Sequence, residues 1–393
     1  MFSHVWETAV PIMTHFLKDI LRQPEELQRT LHYLKRSTEW GALEGAAEAV
    51  RGARHVYLTG IGSSWHAALN VGAMFHAHTH PVYLLDADEL LRSAAFPKDS
   101  AMILISRSGR STEIVQLARK ASKAGVKVIG VTNVPESPLA KEAHHAILVP
   151  IALDHAISVN TYTTLALAVG MLASAVVGST GTPVYPGRGR ALGDSASKAA
   201  QAGVLVLPDL AESLSRVFAE AGRAIPGWQK HIEKSDWLAP HSTTYFLARG
   251  SSLGSAYEAR LMWEEGVKSP ATAMATGRFR HGPQEIVNKG VRFGIWIDAA
   301  QMREQDFALA RDLRKLGASV ILIGQKLPED AGDLLFQLPA IPPEWQFLID
   351  IIPAQLVAER LAGLSGVDCD TFRLSSFIVE DEGGLLPNEA GKK

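Results

Sequence analysis

The chain has 393 residues, of which 47% are hydrophobic and 20% charged, and its formal net charge is −2. This balance predicts a globular protein with ample core and two or three domains, and it argues against disorder. The absence of basic runs argues against nucleic-acid binding. The single cysteine, Cys369, forms no disulfide within the chain, and the N-terminus lacks the pattern of a secretory signal. We expect a cytoplasmic protein without a nucleic-acid or membrane partner.

The first part of the chain changes from a helical pattern to an alternating one. Residues 1–50 predict a helical segment in which apolar residues such as Phe16, Ile20 and Leu27 recur at helical spacing around a break at Pro24. From residue 55, short β-rich runs alternate with helical runs, which is the pattern of a parallel sheet with helices on both faces. Strands are predicted over residues 55–59, 82–85, 101–105, 126–132 and 146–149.

The middle of the chain predicts a buried helix followed by a domain junction. Residues 163–177 are apolar but shorter than the roughly 20 residues of a membrane span, which predicts a core helix. Gly, Pro, Ser and Thr then accumulate over residues 178–193, and a helical stretch continues to about residue 234. The predicted divisions are a helical segment (1–50), a first α/β domain (51–190), a helical linker (191–235) and a second α/β domain with a tail (236–393).

The second α/β domain partly repeats the first. Its predicted strands cover residues 244–248, 293–297 and 319–323, with helices from about 252 and over 304–316. Residues 57–64 align with residues 245–252, and both segments end in Gly-Ser-Ser. The position that matches Ser106 is Gly294, which lies inside a predicted strand without a serine-rich turn. The two copies are therefore not equivalent.

A hydroxyl-rich turn follows the strand at 101–105 and precedes a helix over 113–124. It reads Ser106-Arg107-Ser108-Gly109-Arg110-Ser111-Thr112. A helix N-terminus offers unpaired N–H groups and partial positive charge, the hydroxyls add donors, and two arginines add charge, so the turn predicts an anion site. The alternative is ordinary helix capping, although a cap needs one hydroxyl and not four.

A second glycine-containing turn follows the first predicted strand. Gly60-Ile61-Gly62 could begin a dinucleotide fingerprint, but Trp65 stands at the third glycine position, so we expect no nucleotide cofactor. No other cofactor is expected either. Ligands of such sheets bind beyond the carboxyl ends of the strands. Ser63 and Ser64 are therefore expected to face the same crevice as the turn at 106–112.

The second half of the chain offers two groups suited to proton transfer. Glu265 closes a helix in Trp263-Glu264-Glu265-Gly266, and His281 lies in Arg280-His281-Gly282-Pro283. Taken alone, either could be structural, since an acid at a helix end is commonly solvated and a His before Gly-Pro is commonly a turn residue.

Taken in order, the motifs resemble the sugar isomerase (SIS) domain family, in particular the isomerase half of glucosamine-6-phosphate synthase and related deaminases and deglycases. The resemblance covers nearly the whole chain. It implies an α/β fold of two tandem SIS domains, each a three-layer, doubly wound, mostly parallel flavodoxin-like sheet. The matching segments cover residues 17–24, 62–64, 87–89, 106–109, 132–137, 162–164, 280–283 and 366–370.

The resemblance also assigns roles to the candidate residues. A phosphorylated sugar or amino sugar is expected in the first SIS domain, with the sugar beside Ser63 and Ser64 and the phosphate held by Ser106, Arg107, Ser108 and Ser111. Glu265 falls on the family's proton-shuttling glutamate. His281 falls on a histidine that assists ring opening from the neighbouring subunit, which implies a homodimer with a shared active site.

Three departures from the synthase pattern shape the expected reaction. The chain has neither a glutaminase domain nor a first-residue cysteine, so it is not expected to act alone as a glutamine-dependent amidotransferase. Serine replaces the Schiff-base lysine within residues 371–377, and Arg107 and Arg110 are unlike the synthase's residues. We expect an isomerase that deaminates or deglycates a phosphorylated amino sugar. The alternative is a non-catalytic phosphosugar sensor.

Overall fold

The computed structural model describes residues 13–93, 95–178, 206–239, 242–374 and 379. The predicted domain junction after residue 178 and the tail serines Ser375 and Ser376 lie outside these ranges. Every strand pairing in the described residues is parallel, and helices cover the strands, so the α/β expectation is confirmed.

Two helices open the described chain. They are α1 (His15–Leu34) and α2 (Ser37–Arg51). Thr14 caps α1 by accepting a hydrogen bond from the Leu17 N–H at 3.0 Å. The predicted break at Pro24 is wrong, because α1 runs through this residue. Pro24 is buried, and it packs against a later helix at Gly222, where an added Cβ would lie 3.6 Å from the proline ring. This packing outweighs the loss of the one backbone hydrogen bond that proline removes from the helix.

The first sheet has five strands in the order β2-β1-β3-β4-β5. They are β1 (His55–Thr59), β2 (Tyr83–Leu84), β3 (Ser100–Ser106), β4 (Lys127–Thr132) and β5 (His145–Leu148). The intervening helices are α3 (Ser63–Ala77), α4 (Ala87–Leu91), α5 (Thr112–Lys123) and α6 (Pro138–Glu142). Strand β3 is buried along its whole length, as expected for a central strand covered on both faces.

Two long helices separate the sheets in sequence, α7 (Asn160–Val177) and α8 (Val206–Glu233). Helix α7 is long and apolar enough to span a membrane by length and composition, but 89% of that window is buried inside the protein. It is a core helix, as predicted. Its first turn is held by Asp154, whose carboxylate accepts the N–H groups of Val159, Asn160 and Thr161 at 2.8–3.0 Å.

The second sheet has the order β10-β9-β8-β6-β7, which repeats the topology of the first. Its strands are β6 (Thr243–Ala248), β7 (Ala271–Ala275), β8 (Val291–Trp296), β9 (Ser319–Gly324) and β10 (Leu334–Gln337). The helices are α9 (Leu253–Met262), α10 (Thr276–Phe279), α11 (Arg303–Lys315) and α12 (Ile352–Leu364). Strands β7 and β10 are absent from the sequence prediction.

The apolar interior is shared between the two halves. One continuous core holds α1, α7 and α8 together with the inner faces of both sheets, and it includes Phe75, Trp263 and Trp345. Each sheet has a separate core on its outer face. Helix α3 packs against α9 across the interface. The two halves therefore fix each other's position, and residues from both can share one site.

Candidate functional site

A cleft opens at the carboxyl ends of β1 and β3, where the first sheet reverses its strand order. From β1 the chain passes to β2 on one side of the sheet, whereas β3 lies on the other side. Such switch points leave a crevice between diverging loops. The cleft has a volume of about 270 Å³, close to the lower range of small-molecule sites. Seven of the predicted site residues line the cleft: Ser63, Ser64, Ser106, Arg107, Ser108, Ser111 and Glu265.

The buried serines of the loop after β3 have their hydrogen-bond polarity fixed by the backbone. Ser106 Oγ accepts the Gly109 N–H, and Ser108 Oγ accepts the Arg110 N–H, both at 3.1 Å. A hydroxyl that accepts a hydrogen bond still has its own proton to donate. Both side chains line the cleft. These two hydroxyls are therefore suited to donate to an anion.

The start of α5 distinguishes anion binding from capping. Ser111 occupies the N-cap position, but within the described residues its side chain forms no capping hydrogen bond. The Thr112 N–H is bonded to the Val379 carbonyl, and the next N–H groups of this helix turn, those of Glu113 and Ile114, remain for another acceptor. Gly109 has a φ of +61°, and a Cβ there would lie 2.3 Å from Ser137 Oγ, so the turn requires glycine. The geometry favours the anion-site interpretation.

The two arginines of this loop differ in position. The guanidinium of Arg107 lines the cleft and donates to Ser158 Oγ at 3.2 Å and to the Ala156 carbonyl at 3.4 Å. Arg110 is exposed and is not among the residues that line the cleft, so the charge expected from it stays a prediction. The tight turn at Gly109 directs Arg110 to solvent.

The turn after β1 forms the opposite wall of the cleft. Gly62 has a φ of +56°, and helix α3 begins at the next residue. A Cβ at Gly60 would lie 2.6 Å from the Ser64 carbonyl carbon, so only glycine lets the strand end approach the helix this closely. Ser63 and Ser64 consequently face the crevice, as predicted.

Glu265 reaches the cleft from the second half of the chain. It lies in a single π-helical turn, Trp263–Val267, that ends at Lys268 in the left-handed conformation. Such turns hold one residue more than an α-helical turn and redirect the side chains they carry. The pKa of Glu265 is raised from 4.5 to about 7, because burial and the charge of Glu258 raise it more than Arg107 and Lys268 lower it. A carboxyl group with this pKa can both take up and release a proton near neutral pH.

The C-terminal segment contributes to the mouth of the cleft. Phe372 and Val379 line it, and the Val379 carbonyl accepts the Thr112 N–H at 3.2 Å. Lys268 holds this segment by donating to the Thr371 carbonyl at 2.9 Å, and its ammonium group lies 5.7 Å from the Phe372 ring centre. Lys268 also donates to the Glu265 carbonyl. The tail and Glu265 are thus both held by Lys268.

His281 lies away from this cleft in the single chain. It is exposed, follows α10, and is not among the residues that line the cleft. One chain alone therefore brings Glu265 to the serine loop but not His281. The predicted contribution of this histidine from a neighbouring subunit stays a prediction.

The equivalent edge of the second sheet has a different chemistry. The carboxylate of Asp298, just after β8, accepts the N–H groups of Ala300, Gln301 and Met302 at 2.9–3.3 Å. These are the N–H groups that precede α11 and that an anion would need. The second edge is thus occupied by its own carboxylate, whereas the first edge leaves its loop available.

Two buried residues behind the cleft were not identified from the sequence. Glu258 Oε1 accepts the Ser63 hydroxyl at 2.9 Å, and Glu258 Oε2 lies 2.6 Å from His66 Nδ1. The available signal was spacing, because His66 is three residues after Ser63 and Glu258 is seven before Glu265, each on one helix face. Within the described ranges, no group of three His, Cys, Asp or Glu side chains is placed to hold a metal ion.

Residues 49–175 match the SIS domain family model. The glutamine–fructose-6-phosphate aminotransferase of Pyrobaculum aerophilum is 27% identical over 361 residues, which are 91% of this chain and 56% of that protein. The Thermus thermophilus protein of the same name is 24% identical over 363 residues, with 91% and 57% covered. This chain spans about half the length of the curated relatives it matches.

Solved structures share the fold. The C-terminal domain of the Francisella tularensis glucosamine-fructose-6-phosphate aminotransferase has a TM-score of 0.76 at 20% identity, covering 90% of this chain and 97% of that one. A glucosamine-6-phosphate deaminase from Thermotoga maritima has a TM-score of 0.72 at 22% identity, covering 93% and 99%. The Escherichia coli tagatose-6-phosphate ketose/aldose isomerase has a TM-score of 0.71 at 18% identity, covering 92% and 96%. The chain therefore carries a SIS domain, has the two-sheet fold of SIS proteins, and is homologous to the isomerase half of glutamine–fructose-6-phosphate aminotransferases.

Proposed function

We propose that this protein is a phosphosugar isomerase that deaminates or deglycates a 6-phosphorylated amino sugar. The observation that carries the proposal is the composition of one cleft. Donor hydroxyls and a helix N-terminus form one wall, and a carboxyl group with a pKa of about 7 faces the same space. Positioning a phosphate and moving a proton are the two tasks that such an isomerase performs.

The phosphate is bound by the loop after β3. Ser106 and Ser108 donate to its oxygens, Ser111 and the N–H groups of α5 that follow Thr112 complete the contact, and Arg107 supplies positive charge. Contacts at this remote end hold the sugar carbons in one orientation. Ser63 and Ser64 lie beside the sugar.

Glu265 transfers the proton. With an open-chain amino aldose phosphate, the Glu265 carboxylate removes the C2 proton and delivers the same proton to C1, while a second proton passes from the amine nitrogen to the C1 oxygen. The resulting imine at C2 is hydrolysed by water, which releases ammonia and leaves the ketose phosphate. The substrate's own nitrogen provides the imine, so this route needs no lysine. Without nitrogen, the same transfer interconverts aldose and ketose.

His281 assists ring opening from a partner subunit of a homodimer. Its exposure outside the cleft of its own chain supports this part of the proposal. The test is to mix Glu265→Gln and His281→Asn chains, each inactive alone. A shared site restores activity in the mixture, because one site per mixed dimer then has both intact residues. A mixture as inactive as its components contradicts the shared site.

The reaction itself is tested with 6-phosphorylated amino sugars and fructose–amine adducts. We expect the amino aldoses to release ammonia and leave a ketose phosphate, and the fructose–amine adducts, whose nitrogen is on C1, to release amine and leave an aldose phosphate. Glu265→Gln should lower either rate by about 10² to 10⁴. Glu264→Gln is the matched control, because Glu264 is adjacent but exposed and bound to Arg260. Full turnover in Glu265→Gln would overturn the assigned role. Tight binding without any product would support the sensor alternative.

A further inference from the structure

One buried carboxylate lies outside the cleft yet contacts a residue that lines it. Glu258 on α9 has no exposed surface, and both of its oxygens are bonded to α3 of the other half. Oε1 accepts the Ser63 hydroxyl at 2.9 Å, and Oε2 lies 2.6 Å from Nδ1 of His66, which is 3% exposed. We refer to Ser63, Glu258 and His66 as the interhalf bridge.

Burying the Glu258 carboxylate in the interhalf bridge costs free energy, and packing of the two helices does not require a carboxylate there. Removing a carboxylate from water costs several kcal/mol, and an apolar side chain of similar volume commonly stabilises such a site as well or better. Neighbouring contacts already join the two helices, since Asn70 Oδ1 accepts the Ser255 N–H at 3.1 Å. The feature that distinguishes the bridge is its connection to the cleft through Ser63.

We propose that Glu258 is a positioning residue of this site, which fixes Ser63 as a hydrogen-bond acceptor and thereby selects a sugar with a donor group at that point. This inference rests on the proposed function and deepens it. A serine hydroxyl has one proton, and Ser63 donates that proton in its hydrogen bond to Glu258. Ser63 can then only accept, so its partner on the sugar is a hydroxyl or amine hydrogen and not a carbonyl or carboxylate oxygen.

The two ends of the cleft therefore have opposite polarity. Ser106 and Ser108 accept from the backbone and keep their protons to donate, whereas Ser63 has already donated its proton. One end suits the oxygens of a phosphate, and the other suits a hydroxyl or amine. A phosphorylated amino sugar has both groups, so the polarity orients it with its nitrogen or a hydroxyl towards Ser63.

Glu258 also acts on Glu265 through its charge. The two lie seven residues apart at the end of one helix, and repulsion by Glu258 contributes to the raised pKa of Glu265. The other charged groups that act on Glu265 are Glu264, Lys268 and Arg107. Glu258 itself faces His66 and the Tyr162 phenol. Loss of the Glu258 charge should lower the pKa of Glu265.

Three variants separate the two effects. Glu258→Gln keeps an acceptor oxygen for Ser63 but removes the charge, Glu258→Ala removes both, and Ser63→Ala removes only the oriented hydroxyl. Glu264→Gln removes a closer carboxylate that is exposed to solvent, and it is the matched control. Urea unfolding of each variant identifies those that fold.

The first readout needs no catalysis. Carboxyl carbons are labelled with ¹³C in glutamate, and the Glu265 signal is assigned by its loss in Glu265→Gln. We expect its titration midpoint near pH 7 in the parent protein, a lower midpoint in Glu258→Gln, and a smaller decrease in Glu264→Gln, because the exposed Glu264 contributes less to the raised pKa of Glu265 than Glu258 does. An unchanged midpoint in a folded Glu258→Gln overturns the electrostatic part of the inference.

The second readout is binding by calorimetry, with fructose 6-phosphate and inorganic phosphate as probes. Ser63→Ala and Glu258→Ala should bind fructose 6-phosphate about tenfold more weakly, since one oriented hydrogen bond is lost, and should bind inorganic phosphate as the parent does. Glu258→Gln should retain most of the sugar affinity. Equal weakening for both probes, or unchanged affinity in Ser63→Ala, overturns the positioning role. If fructose 6-phosphate does not bind the parent protein, the proposed function fails, while the Glu265 titration still tests the charge of Glu258.

Discussion

Replacing Glu265 by glutamine should make the protein more stable at high pH. Burial raises the pKa of this carboxyl from 4.5 to about 7, so the folded chain holds the proton more strongly than the unfolded chain. Stability of the parent protein therefore falls as the pH rises from 4.5 to 7, and the loss is complete above pH 7. Glutamine is neutral at every pH and does not have this cost.

The size of the effect follows from the displacement of the pKa. A rise from 4.5 to about 7 corresponds to about 3 kcal/mol. The carboxyl is half-buried at the cleft, and solvent contact reduces the expected difference to about 2 kcal/mol. Glu265→Gln should thus gain about 2 kcal/mol over the parent between pH 4.5 and pH 8.

The assay is urea unfolding followed by tryptophan fluorescence at pH 4.5, 5.5, 7 and 8. Burial also raises the pKa of Asp350 to about 7, but this group is present in both proteins and cancels in the difference. Glu264→Gln serves as the control, and its stability difference from the parent should change with pH far less than that of Glu265→Gln, because Glu264 is exposed. A difference for Glu265→Gln that does not change with pH would refute the reasoning that burial makes this residue a proton carrier.

Three further outcomes test other parts of the structure. Gly60→Ala should abolish phosphosugar binding and lower the free energy of unfolding in urea by about 1–3 kcal/mol, because its Cβ would lie 2.6 Å from the Ser64 backbone. Gly41→Ala is the control and should do neither, because the space around Gly41 is open. Asp154→Ala should lower the free energy of unfolding by about 3–5 kcal/mol, since it removes a buried carboxylate that holds the start of α7. A decrease in melting temperature of under 2 °C would contradict this. Calorimetric titration with inorganic phosphate should give one site per chain, because Asp298 occupies the second edge, and two sites would contradict that interpretation.

Much of the fold could be predicted from local sequence because its signals are local. The buried run before Ser106 and the period of the helix after Thr112 determine a strand and a helix without knowledge of distant residues. Strands β7 and β10 were missed; β7 reads Ala-Thr-Ala-Met-Ala, and alanine is depleted in strands, so its local signal is weak. Pro24 was misread because propensity indicates a break, whereas tertiary packing keeps the helix intact.

The candidate site divides in the same way. The serines of the loop and the Gly-Ser-Ser turn could be placed at one sheet edge, because parallel strands bring their carboxyl ends together. Arg107 and Arg110 could not be told apart, since their separation depends on the tight turn at Gly109. Glu258 and His66 offered only their spacing from Glu265 and Ser63 as a signal, because the contacts that join Glu258 to α3 link positions almost 200 residues apart.

The sequence by itself determined the α/β alternation, the hydroxyl loop at a strand end and the inequivalence of the two halves, because periodicity and turn residues act over a few positions. Tertiary structure alone decided which hydroxyls donate and which accept, how strongly Glu265 holds its proton, and where His281 lies. Hydrogen-bond direction and pKa depend on burial and on groups from distant segments, and those are set only when the two sheets pack against their shared core.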